Sequence, residues 1–293
     1  MTALVNLVVM LGMFVIVPTG LRLTGSREFD RVRRAWPLFA AAGALSLWLP
    51  RGAPATVLAA WYAAGTLLLA LHAPRRLART RDVRPAELAV LTALVSPAVA
   101  GTALVAERAD RSLFSFDPGL LALTVPHFHF AGFAAALVAG LLCADTGDGP
   151  AARFAALSVP AGTLLVLVGY FLGDTAELAG AVVLTAGMWT VAALSLRLAR
   201  ARGTDRTART LLGVAAGTLA ASMVLALSWA LGEATGLPHP SLTWMAATHG
   251  AGNALGFALC ALLALRRVRR PAPTDPAVRT ESPVRTAPEG THP

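Results

Sequence analysis

Polar and charged positions along this chain are bunched: long apolar runs alternate with short loops that collect nearly all the charge. No run shows the two-residue alternation of a half-buried strand, and most are apolar on every side, as a helix surrounded by lipid is. A bilayer span takes roughly 20 mostly apolar residues. Nine such runs fall near 3–21, 36–50, 54–73, 86–106, 118–143, 153–173, 176–196, 210–232 and 240–265. The pattern predicts an all-α fold, a polytopic integral membrane bundle of about nine transmembrane helices. The second run, Trp36 to Pro50, is short, which fits little tilt or a partly interfacial position. After Arg270 the sequence turns rich in Pro and Thr with almost no large apolar residue. Residues 1–270 are therefore assigned to a transmembrane domain and 271–293 to a disordered cytoplasmic tail.

Composition agrees. At 56% hydrophobic and 14% charged, with a mean hydropathy of +0.62, the chain is too apolar for a soluble protein, in which about a quarter of residues are charged. All 25 basic residues are Arg. Mapped onto the nine runs, 22 of them fall in alternate loops and in the tail, and only Arg51, Arg108 and Arg111 fall in the others. Basic residues mark the cytoplasmic side, so this division predicts a multi-pass protein of a bacterial-type cell membrane, N-terminus outside and C-terminus cytoplasmic. The arginines then face anionic lipid headgroups, and the lipid bilayer rather than nucleic acid is the expected partner. Cys143 and Cys260 both lie in apolar runs, which fits neither a disulfide scaffold nor a thiolate zinc site.

His129-Phe130-Ala131-Gly132-Phe133-Ala134 in the fifth run and His249-Gly250-Ala251-Gly252-Asn253-Ala254 in the ninth agree at four of six positions. Looser landmarks keep the same offset, so residues 36–143 and 153–265 form a candidate parallel repeat of four helices, with the first helix added. A parallel repeat places a pseudo-two-fold axis along the membrane normal.

The same segments carry the candidate chemistry. Asp117-Pro118 has the form of an N-cap and first helical residue, placing His127 about 14 Å into its helix, and His249 lies nine residues beyond Pro240. Ionisable groups at such depth usually face a bundle interior or a wet cavity. His127 and His129 lie about 200° apart on a regular helix, so both cannot face one centre unless Pro126 kinks the helix and turns His127 inward. Small-residue stripes led by Gly132 and Ala136, and by Gly252 and Gly256, predict that the fifth and ninth helices pack together with His129 opposite His249 and Asn253. The candidate site is therefore His129 and His249 with His127 beside them as catalytic groups, and Asn253, Thr124, Thr248 and Tyr170 as substrate contacts. Asp174, Glu177 and Glu233 mark an outer rim or entrance.

Thr124-Val125-Pro126-His127-Phe128-His129-Phe130-Ala131-Gly132-Phe133 and Thr248-His249-Gly250-Ala251-Gly252-Asn253-Ala254-Leu255-Gly256-Phe257 resemble the paired signatures of YndJ-like bacterial membrane proteins. The resemblance implies that His127, His129, His249 and Asn253 belong to a shared site, without fixing its chemistry. The two histidines about Phe128 also look like the haem-ligating pair of haem–copper oxidases. Those enzymes need ligand histidines on other spans, whereas His72 lies at an inner end and His239 in an outer loop. A zinc ion on His127, His129 and His249 would leave one position open. The cofactor is thus unknown, with zinc and haem considered and not favoured. HExxH, P-loop, CxxC and dinucleotide-binding fingerprints do not occur.

Two functions stay open. As an enzyme, the chain would take a small, largely apolar molecule from the lipid and isomerise, cyclise or hydrate it by acid/base chemistry at imidazole. As a secondary transporter or exporter, it would bind substrate or a coupling proton at the same cluster.

Overall fold

The computed structural model describes residues 2–114 and 116–269; the expected disordered tail lies outside the described residues. Among them the chain forms nine helical spans: α1 (Thr2–Leu23), α2 (Asp30–Ser46), α3 (Ala53–Thr80, with a turn at Leu71), α4 (Pro85–Arg108), α5 (Pro118–Asp145), α6 (Pro150–Leu172), α7 (Asp174–Arg200), α8 (Arg206–Thr235) and α9 (Leu242–Val268). Eight of them are long and apolar enough to cross a membrane, and α2 is shorter. The short second run was expected from Trp36, but its helix starts at Asp30. The side chain of Asp30 pairs with Arg33 one turn on, so the helix extends into the charged loop. Likewise α3 continues past the apolar run as an amphipathic, Arg-rich segment from His72 to Thr80.

Successive helices pack side by side, and α5 lies at the centre. Within its apolar window 83% of residues are buried, against 33–56% for the other spans, which leaves it the least contact with lipid. The α6–α7 pair is packed through glycines spaced seven apart. A Cβ on Gly162 would lie 2.6 Å from Leu184 backbone, and one on Gly180 would lie 2.5 Å from Val166 backbone. Gly169 and Gly187 complete the seam against Glu177 and Ser158. Removing side chains from both faces lets backbones approach closely, which supplies van der Waals attraction where lipid offers no hydrophobic drive.

Both ends of the bundle are tied by arginines. At one end Arg76 pairs with Glu28 and Glu87, and Arg79 with Glu28. Burial opposes ionisation of Glu28, but Ser26, Arg76 and Arg79 outweigh it and hold its carboxyl below the ordinary value. Arg269 reaches the carbonyls of Leu23 and Leu141 and the carboxylate of Asp145. One guanidinium on α9 thereby caps the C-terminal ends of α1 and α5, where the helix dipole favours a cation. At the opposite end Arg108, paired with Glu107, donates to the carbonyls of Ser46, Leu47 and Leu49 behind α2. Arg51 bridges Glu107 and Asp110 there.

Three spans leave α-helical geometry in mid-course. Gly12–Ile16 of α1, Phe128–Ala135 of α5, and both Ala246–Gly250 and Asn253–Leu259 of α9 are π-helical. The α1, α5 and α9 segments touch one another. π-Helical turns widen the helix by one residue per turn and are frequent at functional sites. Pro126, just ahead of the α5 segment, removes one N–H from the ladder there.

Candidate functional site

A cavity of about 280 Å³ opens among α1, α5, α6, α7, α8 and α9. Its walls are mainly apolar, with Leu120, Leu167, Leu184, Met188, Met223 and Phe257 prominent. Thr124, His127, Thr163, Tyr170, Glu177, Thr185, His249 and Asn253 supply the polar groups. Such a balance, apolar wall with a few converging polar groups, is the usual make-up of a small-molecule site.

The side chain of Asp117 accepts from the N–H groups of Gly119 and Leu120, starting α5 where the sequence pattern places it. α9 starts at Leu242, where Ser241 accepts from the Trp244 N–H, two residues later than expected. His127 is then about 14 Å and His249 about 10 Å from the start of its helix.

The two histidines flanking Phe128 do point apart, but His127 is the one facing the cavity. Its ring is exposed on that side and makes no hydrogen bond among the described residues. His129 is fully buried and turned toward α1 and α3. Its Nδ1–H donates to the Val125 carbonyl at 2.7 Å, and its Nε2 accepts from the Tyr62 hydroxyl at 2.5 Å. These partners assign the neutral Nδ1–H tautomer. The Tyr62 ring stacks on the imidazole, and Trp36 meets Tyr62 edge-on while its indole N–H donates to the Met13 carbonyl. Gly12 makes room for this arrangement, since a Cβ there would lie 2.9 Å from His129 Cγ.

His249 is wired differently. Its Nδ1–H donates to the Ser222 carbonyl of α8 at 2.8 Å, leaving Nε2 with its lone pair. The Asn253 amide nitrogen approaches that Nε2 at 3.3 Å, a long contact, and Asn253 Oδ1 accepts from the Ser222 hydroxyl at 2.8 Å. Ser222 thus orients both imidazole and carboxamide. A base that lines an apolar cavity, its lone pair held by only one weak donor, is free to accept from a bound molecule.

The structure brings together His127, His249, Asn253, Thr124 and Tyr170, and places His129 and Thr248 elsewhere. The Thr248 hydroxyl donates to the Trp244 carbonyl along its own helix. The glycine stripes also turn from the expected pairing. Gly132 lies against Ser96 of α4, and Gly256 against Thr218 of α8, while α5 and α9 meet through their π-helical segments. Among the described residues no three His, Cys, Asp or Glu side chains cluster as a metal would need.

Three polar residues of the cavity, Thr163, Thr185 and Glu177, are not marked as such by the sequence pattern. Thr163 and Thr185, and Ser222 that holds His249 and Asn253 from α8, look like ordinary helix hydroxyls, for which nothing in the pattern distinguishes a site role. Glu177 was placed on the outer rim by its nearness to the loop, yet it is 8% exposed and lines the cavity. The signal was the glycine spacing, which seats the Glu177 backbone against Gly169 and so draws the first turn of α7 inward.

No curated protein and no solved structure matches the chain. The sequence model of the YndJ-like proteins matches residues 7–257, a stretch that takes in all the cavity polar groups named above and most of the bundle. The chain belongs to the YndJ-like protein family.

Proposed function

We propose that this multi-pass membrane protein binds a small, largely apolar molecule in the central cavity and acts on it by acid/base chemistry, with His249 as base and His127 as its acid partner. The observation that carries the reading is that two imidazoles with different hydrogen-bond wiring line one apolar cavity. His249 is held in a tautomer that leaves Nε2 as acceptor, and His127 is free to donate. Asn253, fixed by Ser222, would orient a carbonyl or hydroxyl of the substrate. Thr124 and Tyr170 would contact it elsewhere. His129 enters this reading as a positioning residue, since it anchors the π-helical turn of α5 from behind. The parallel repeat of α2–α5 and α6–α9 belongs to the same proposal. Its support is that α5 and α9 both switch to π-helical geometry around histidines 120 residues apart. Orientation with the N-terminus outside is likewise proposed, on the arginine distribution.

The test uses purified full-length protein and identifies the apolar compounds that co-purify with it by mass spectrometry and chromatographic retention. The His249→Gln variant keeps a hydrogen-bonding side chain but loses the base. The expected result is a different bound compound in the variant, substrate in place of product. The same compound in both would overturn the chemistry and leave the secondary-transporter reading in its place.

A further inference from the structure

Glu177 differs from the other buried carboxylates of the bundle. Glu87 is held by Arg76, and Glu107 by Arg108 and Arg51. Glu177 is as deeply buried as Glu87 and has no cationic partner among the described residues. The nearby carboxylates Asp174 of its own helix and Glu233 of α8 oppose its charge, while the Tyr170 hydroxyl of α6 beside it favours that charge without neutralising it, and Glu233 is itself paired with His239. An ionised carboxylate removed from water is stable only with a counter-charge. A second group on α7 is also unsatisfied. Thr185 is 2% exposed, lines the same cavity, and its hydroxyl has no hydrogen-bond partner. Buried hydroxyls without partners are rare, and one beside a cavity points to a partner that comes from outside the fold.

Glu177 and Thr185 are eight residues apart, about 12 Å along α7, with Ala181 and Leu184 between them on the cavity wall. The carboxylate end also carries aromatic faces, since Phe116, Tyr170 and Trp229 line the cavity. Aromatic faces attract cations that shed water easily. A hard inorganic cation needs about six oxygen ligands, which this mostly apolar wall does not provide.

We propose that the ligand of the cavity is a lipophilic organic monocation, an amine or quaternary ammonium, whose charge meets Glu177 and whose largely apolar body carries a hydroxyl or carbonyl toward Thr185 and His249. This rests on the reading of the cavity as a binding site and adds the chemical class of what it binds. Because the carboxyl has no counter-charge among the described residues when the cavity is empty, entry of the cation favours its ionised form, and cation binding is linked to release of a proton.

The test compares benzyltrimethylammonium with neopentylbenzene, its uncharged carbon isostere, on the full chain in lipid nanodiscs by titration calorimetry. The expected result is at least 10-fold tighter binding of the cation, a preference abolished by Glu177→Gln, with binding of the neutral isostere unchanged. Cation affinity should also rise with pH while that of the isostere stays flat. Should Glu177→Gln fail to fold, this pH series on the unmodified protein decides the matter. Blocking the cavity by Ala181→Trp should remove both ligands. Equal binding of the two probes, or a cation preference that survives Glu177→Gln, overturns the proposal but leaves the cavity as a binding site for apolar molecules. Failure of both probes to bind the unmodified protein, or binding of both undiminished by a folded Ala181→Trp variant, overturns the cavity reading together with it.

Discussion

A histidine in the middle of a membrane helix reads as chemistry until its partners are counted. His129 has both ring nitrogens engaged by Val125 and Tyr62 and is wholly enclosed. His127, two residues earlier, has neither nitrogen engaged among the described residues and faces the cavity. That the two point apart was legible from helical geometry. Which one faces inward was not, because the choice is made by Gly12 and Tyr62, far away in sequence, which form a slot for one imidazole. The Tyr62 hydroxyl is central to this. Tyr62→Phe removes the donor and leaves Nε2 of His129 buried without a partner, a loss of about 1–3 kcal/mol. Thermal unfolding in detergent should show Tyr62→Phe clearly destabilised, and His129→Ala introduced on top of Tyr62→Phe should cost less than His129→Ala alone. Additive losses would mean that the hydroxyl and the imidazole do not interact.

Among elements, the glycines decide who packs against whom. The apolar pattern located nine helices to within a few residues except at α2 and the end of α3, because apolar length is what a bilayer selects. It did not show the π-helical segments, of which only the α5 one follows Pro126, because periodicity in an all-apolar run carries no mark of an extra residue. Nor did small-residue stripes reveal their partners, since a glycine states only that something comes close. Gly132 and Gly252 occupy matching positions in the two histidine strings and ought to respond differently. A Cβ on Gly132 would sit 2.7 Å from Ser96 Cβ, while one on Gly252 would sit 3.9 Å from the nearest atom, Thr218 Cγ2. Gly132→Ala should therefore reduce stability by a few kcal/mol, in the range of overpacking, whereas Gly252→Ala should be close to neutral. Expression level and melting temperature of the two variants read this directly, and equal sensitivity would argue against the packing of α5 on α4.

For the whole molecule, the division of arginines between the two ends carries the expected orientation. One end joins the α1–α2 loop, the ends of α3 and α9, and the start of α8 through Glu28, Asp145 and Asp205, each carrying at least one arginine. The other end holds Arg51 and Arg108, both already committed to Glu107. The Arg-rich end also presents Arg75, Arg81 and Arg84, which belong to the set counted on the expected cytoplasmic side. Translocating that end would require moving the larger positive charge against the membrane potential, at about 2.3 kcal/mol per charge per 100 mV, so retention of the Arg-rich end in the cytoplasm is the favoured outcome. A fluorescent protein that matures only in the cytoplasm should fluoresce when fused behind Arg269. An alkaline phosphatase that folds only after export should be active when inserted between Arg51 and Gly52, and inactive between Arg202 and Gly203. The α2 helix calls for one further phosphatase insertion ahead of it, between Gly25 and Ser26: α2 is the one span below the length expected for a crossing, and if it failed to cross, the Gly25 and Arg51 insertions would report the same side. Opposite reports at Gly25 and Arg51, with fluorescence behind Arg269, require nine crossings and an exported N-terminus. Matching reports would reduce the count to eight and place both termini on one side.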